Sequence, residues 1–199
     1  MKLYKTSSIT NEFEKAYEET EVDTYDKLLS EVFNRFEDEF DIDFNISDKL
    51  SAILKKFRTE DWEAMDIKDK MPVIKELINV LGKELGLDKV VELLISDDKN
   101  DVYGFFDARN NTIMLNSNYF DNASELVDTI AHELRHAYQH MRAEVLDTWE
   151  DALFKVNFEN YISPLPLPEG GNLFFWDYYH QYVETDARTF ANIFTEAMI

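Results

Sequence analysis

The chain has 199 residues, 45% of them apolar and 14% aromatic, with only 5 Gly and 4 Pro, so it can bury a core and is not low-complexity disorder. Its formal net charge of −21 repels phosphate backbones, which argues against direct nucleic-acid binding; the charge fits a solvated acidic surface first, and also a basic protein partner or a calcium-rich setting. Zero Cys excludes disulfides, thiol catalysis and thiolate metal sites, so any metal must be held by His and carboxylates.

The opening stretch "MKLYKTSSITNEFEKAY" has no apolar h-region, and no run approaches the roughly 18 apolar residues of a membrane span. A soluble, cytoplasmic protein without membrane contact is expected. From Tyr25, the positions Leu28, Leu29, Val32, Phe33, Phe36 and Phe40 recur at three- and four-residue spacing, which predicts an amphipathic helix with an acidic outer face. A second helix is expected after the N-cap Ser47, with Leu50, Ile53, Leu54 and Phe57 on one side, until "RTEDWEAMDIKDK" breaks the pattern. A third should run from about Pro72, with Pro in its first turn, to a C-cap at Gly86.

The texture then changes. "KVVELLIS", "VYGFFDA" and "NTIMLNS" are rich in strand formers, and "ARNN" has turn chemistry, so a small sheet ending in a β-hairpin is expected. Asn122 or Ser124 can cap a long helix with an apolar stripe at Leu126, Ile130, Leu134 and Ala137. A further helical stretch is read over about 143–158, then an extended connector in "ISPLPLPEGGNLFFW", then one last helix, "DYYHQYVETDARTFANIFTEAM". The fold class is thus α+β, and 1–199 is read as a single domain, with a helical N-terminal subregion (1–88) packed on a core (89–199).

The chemistry concentrates in "DTIAHELRHAYQH", residues 128–140. On a helix, His132 and His136 project from one face about 6 Å apart along the axis. Two imidazole nitrogens can then reach one zinc ion at about 2.0–2.1 Å, with Glu133 beside the open position as general base. Chance would produce such a pentapeptide in on the order of one chain in a hundred, so the motif is informative but insufficient. A catalytic zinc takes three protein ligands, and a third must be found. His140 lies two turns from His132, about 12 Å along the axis, and suits an amphipathic or supporting role better. His180 offers a ligand, a transition-state donor or a surface residue. Glu184 precedes Ala187, Phe190, Ala191 and Phe194 at helical spacing. A carboxylate on that packed side needs a partner or a metal, and one at the edge of the stripe would be solvated; the residues alone fit both.

His132-Glu133-x-x-His136 followed by Glu184-x-x-Ala187-x-x-Phe190-Ala191 resembles the small gluzincin metallopeptidases, the ImmA/IrrE-like and minigluzincin group. The resemblance covers about 89–199. It implies a zincin-like core of a small sheet with an edge hairpin, an active-site helix and a C-terminal glutamate helix, in which Glu184 is the third zinc ligand. It also implies an edge strand that can pair with an extended substrate. The 47 residues between His136 and Glu184 are long for the smallest members.

The expected activity is zinc-dependent hydrolysis of a peptide or protein substrate, with His132, His136 and Glu184 as ligands and Glu133 as base. Tyr178, Tyr179, His180, Tyr182 and Arg188 cluster near the third ligand as transition-state donors or supporting groups, with His180 and Arg188 four residues either side of Glu184. Asp128, one turn before His132, could orient that imidazole or simply sit solvated in the first turn. Two other classes fit the sequence: a zinc-binding regulatory or sensor module without turnover, and an acidic protein that mimics nucleic-acid charge to sequester a basic partner.

Overall fold

The computed structural model describes residues 42–58, 62–99, 102–166 and 172–198; the helix expected over 25–40 lies outside the described residues. The chain divides between Asp41 and Ile42, and the unit Ile42–Ile199 contains everything that follows.

Helix α1 (Asp48–Phe57) starts where Ser47 accepts the Leu50 amide at 3.1 Å, and it buries Leu50, Ile53, Leu54 and Phe57 as one stripe. Helix α2 (Ile67–Glu84) begins before the expected first turn, so Pro72 lies inside it. The correction has a long-range cause. Lys70 is buried, with its ammonium 2.5 Å from Asp121 and 5.4 Å from the centre of the Trp62 ring, and these contacts anchor a turn that local pattern does not announce. At its other end Gly86 adopts φ 73°, and the amides of Gly86 and Leu87 reach back to the carbonyls of Lys83 and Gly82 at 3.1 and 3.0 Å. That is the glycine stop the sequence calls for.

The sheet has three strands, β1 (Glu92–Ser96), β2 (Gly104–Asp107) and β3 (Thr112–Asn116), in the order β1-β3-β2. β1 runs parallel to β3, while β2 and β3 form the expected hairpin, with Asn111 at φ 49° in its turn. β2 is an edge strand. A Cβ at Gly104 would sit 2.8 Å from both the Met114 carbonyl and the Thr129 methyl, so glycine lets this edge lie close against the next helix.

That helix, α3 (Ala123–Val145), is capped by Asn122, and its stripe from Leu126 to Ala137 is buried. It ends at Leu146 in the left-handed conformation, φ 58°, and α4 (Trp149–Glu159) starts afresh behind a Thr148/Asp151 capping box. The helical stretch expected over 143–158 is therefore split. Asp151 also receives the Arg142 guanidinium at 2.8 and 2.7 Å, which ties the two helices at the break. The Pro-rich connector carries a two-residue hairpin, β4 (Leu165–Pro166) with β5 (Asn172–Leu173).

The last helix is also divided, into α5 (Phe175–Tyr179) and α6 (Tyr182–Ala197). Gln181 causes the break: its amide accepts the Ile162 N–H and donates to the Ile162 carbonyl, both at 2.8 Å, which holds its own backbone extended. Helix α6 then packs along α3 through Ala187 and Ala191, both fully buried, and Phe190 and Phe194 join Ile130 and Leu134 in the core. Phe44, ahead of α1, closes on Phe190 and Phe194 at ring distances of 5.1 and 5.6 Å. The described residues thus form a mixed α+β fold of six α-helices and a small three-stranded sheet beside a two-stranded hairpin, and none of these helices is long and apolar enough to cross a membrane.

Candidate metal centre

Helix periodicity places His132 and His136 on the same face of α3, and the alanine-lined approach of α6 delivers Glu184 to them. These three side chains form a group that could hold a metal ion. The Nε2 atoms of the two histidines are 3.0 Å apart, Glu184 Oε2 is 3.4 Å from His132 Nε2, and Glu184 Oε1 is 3.5 Å from His136 Nε2. Ligands about 2.0–2.1 Å from a tetrahedral ion are separated by about 3.3 Å. The donors fit an ion without rearrangement. Glu184 is 1% exposed, and its Oε2 is buried with no hydrogen-bond partner, so its remaining lone pairs point to a cation.

The electrostatics of the metal-free group agree. Burial opposes the charge on His136, but the hydrogen bond and charge of Glu184, with smaller help from Glu133 and Gln139, raise its pKa to about 9. Burial likewise opposes ionisation of Glu184, yet the facing imidazoles of His132 and His136 hold its pKa far below the usual carboxylate range. A divalent ion at this position would displace the proton that Glu184 holds on His136.

Glu133 is buried within α3. Its carboxylate makes no hydrogen bond to any described residue, while its charge acts on His136, Tyr161 and Tyr178. Tyr161, just beyond α4, donates its hydroxyl to Glu184 Oε1 at 2.5 Å. Tyr178 approaches the same carboxylate, and burial first, then the Glu184 charge, raises the pKa of both phenols.

Other expected residues lie elsewhere. His140 stacks on Phe158 at 3.7 Å, and burial, with the charge of His136, lowers its pKa to about 4. The helix break turns His180 onto Trp176: the rings stack at 5.6 Å, and His180 Nδ1 is 2.8 Å from the Trp176 carbonyl oxygen. Its expected place on the Glu184 face assumed one continuous helix. The Tyr182 hydroxyl is directed to Glu150 at 3.5 Å, and burial together with that carboxylate raises its pKa to about 12. Arg188 donates to the Tyr179 carbonyl at 2.6 Å and lies over the Tyr179 ring at 3.5 Å, bracing α5 against α6. Asp128 is partly buried, which raises its pKa against the pull of His132, and no hydrogen bond joins the two.

Four residues not anticipated from sequence support the group. Tyr161 is one; Gln139, Arg135 and Asp186 are the others. Gln139, fully buried, lies 2.8 Å from His136 Nδ1 and 2.5 Å from Asp186, which pairs with both arms of Arg135 at 2.7 and 2.9 Å. The i, i+3 spacing of His136 and Gln139 was the one local signal available. Compared with protein families, with curated proteins and with solved structures, the chain matches none.

Proposed function

We propose that this protein is a zinc-dependent metallopeptidase with a zincin-like core, of the small gluzincin kind that its motifs resemble, acting on peptide or protein substrates. The observation that carries the reading is the preformed triangle of His132, His136 and Glu184, with donor atoms 3.0 to 3.5 Å apart. Two neutral imidazoles and a carboxylate, without thiolate, are a donor set of catalytic zinc.

A bound zinc would polarise the scissile carbonyl and lower the pKa of a water towards about 7. Glu133, without a hydrogen-bond partner among the described residues, takes one proton from the attacking water as oxygen bonds to the carbonyl carbon. It returns that proton to the amine as the carbon–nitrogen bond breaks, giving a carboxylic acid and a free amine. The hydroxyls of Tyr161 and Tyr178, which turn to Glu184, would be released when zinc takes that carboxylate and could then donate to the charge that develops on the carbonyl oxygen. Edge strand β2 supports a way to hold the substrate: it lies against α3 at Gly104 and Thr129, and an extended peptide can add to it by backbone pairing. The net charge of −21 favours substrates or partners that are basic.

Purified protein should carry about one zinc per chain by elemental analysis after mild dialysis. Glu133→Gln should retain that zinc and lower peptide hydrolysis by about a hundredfold or more. Parent protein that holds zinc but cleaves no peptide would favour a sensor module, and protein that holds no metal would remove the hydrolase altogether.

A further inference from the structure

We propose that Arg135, Asp186 and Gln139 form a directional hydrogen-bond relay that fixes which nitrogen of His136 faces the metal; the inference rests on the metal-site reading above. Direction enters at Arg135, because a guanidinium can only donate. Its Nε and Nη2 donate to the two oxygens of Asp186 at 2.7 and 2.9 Å. A carboxylate only accepts, so the group that Gln139 turns to Asp186 at 2.5 Å must be its amide nitrogen. The second N–H of that nitrogen goes to the Val183 carbonyl at 2.9 Å. Both donors are then used, and only the acceptor Oε1 remains for His136 Nδ1 at 2.8 Å.

Nδ1 must therefore donate, and once the ring is neutral Nε2, 3.0 Å from the His132 Nε2, carries the lone pair that an ion needs. Flipping the amide would bring its oxygen against two acceptors, the Asp186 carboxylate and the Val183 carbonyl, at 2.5 and 2.9 Å. Solvent offers no escape: Gln139 is 0%, Asp186 1% and Arg135 7% exposed. The guanidinium is itself held against the Tyr138 and Phe190 rings at 4.6 and 5.2 Å. Because the relay crosses from α3 to α6, the packing that brings Glu184 to the site also selects the tautomer of His136. Gln139 is a positioning residue and touches no reacting atom.

The test is zinc affinity of the full chain, measured by competition with a chromophoric chelator, beside thermal unfolding of the metal-free protein. Gln139→Met keeps the side-chain volume and removes the acceptor, and affinity should fall about 10- to 100-fold. The imidazole nitrogen spectrum of the zinc-loaded protein is a second readout, since it reports which ring nitrogen of His136 holds the proton. Gln139→Met should shift the Nδ1 signal of His136 and hasten exchange of its proton, a change that a purely structural role would not give. Equal affinity of parent and Gln139→Met, or an Nδ1 signal that Gln139→Met leaves unmoved, would overturn the relay. Should Gln139→Met not fold, the imidazole nitrogen spectrum of the zinc-loaded parent decides: a protonated Nδ1 with zinc on Nε2 supports the relay, and zinc on Nδ1 refutes it. A parent that binds no zinc overturns both relay and metal site. Because the readout is affinity and not hydrolysis, failure of the peptidase reading is told apart from failure of the relay.

Discussion

The pairing of His136 with Glu184 makes the stability of the metal-free chain depend on pH in a direction opposite to its zinc affinity. His136 has its pKa raised from 6.5 to about 9 in the folded chain, and its side chain is only 13% exposed, so solvent screens it little. At about 1.4 kcal/mol per pH unit, this pairing contributes about 3 kcal/mol to folding. A raised pKa gives its full contribution below 6.5, where both states hold the proton. The contribution is lost as pH rises towards 9, because the unfolded chain releases the proton first. Glu184, whose pKa is depressed, reports the same ion pair from the other side; its share fails only in acid, below the ordinary value of 4.5, and is not added again. Urea unfolding in the presence of a chelator should therefore show stability falling by about 3 kcal/mol between pH 6 and pH 9.5. The reference is Glu184→Gln, which keeps the shape and removes the charge, so that the other groups titrating over this range cancel in the comparison. Zinc affinity should move the other way, rising by up to about tenfold per pH unit as His136 gives up its proton. A parent whose stability is flat or rising from pH 6.5 to 9, relative to Glu184→Gln, would refute the ion pair as drawn.

Two further perturbations separate the parts of the site. Tyr161→Phe should lower kcat by roughly a hundredfold if its hydroxyl stabilises the developing oxyanion, with zinc content unchanged; unchanged kcat would leave Tyr161 only the task of orienting Glu184. Gly104→Ala forces a Cβ to within 2.8 Å of a backbone carbonyl and the Thr129 methyl, and should cost about 1–3 kcal/mol in thermal unfolding while raising KM more than it changes kcat. An unchanged melting temperature would show that β2 can withdraw from α3.

Periodicity made a good part of this legible. The spacing of His132, Glu133 and His136, the hairpin around Asn111 and the glycine stop at Gly86 are local features, and each is written within a few residues. Glu184 could be singled out only by the likeness of Glu184-x-x-Ala187-x-x-Phe190-Ala191 to the gluzincin pattern, because the residues alone fit a packed or a solvated carboxylate equally. The remainder depends on contacts between distant segments. The start of α2 rests on Lys70 reaching Asp121, and the break before α6 rests on Gln181 bonding to Ile162; no Pro or Gly marks either place. Arg135, Gln139 and Asp186 read individually as ordinary polar residues of amphipathic helices, and only the register of α3 against α6 makes them a set. Tyr161 is 23 residues before the carboxylate it meets, with a Pro-rich stretch between, and no spacing rule spans that gap.

The Gln181 amide imitates a strand neighbour, since it satisfies both backbone groups of Ile162 at once. That clasp brings together the two ends of the segment 163–180. Closing a loop depends only weakly on its length, with each doubling costing about 0.6 kcal/mol. The part of the loop ahead of Tyr178 can thus be lengthened or shortened while Glu184, three residues past the clasp, keeps its register on α3. Leu173, Phe174, Phe175 and Trp176 are each more than a third exposed on this loop, so its contents can vary without moving the metal ligands. The fold separates the part that must stay constant from a cassette that is free to diversify, which makes the loop the natural place to graft a new specificity.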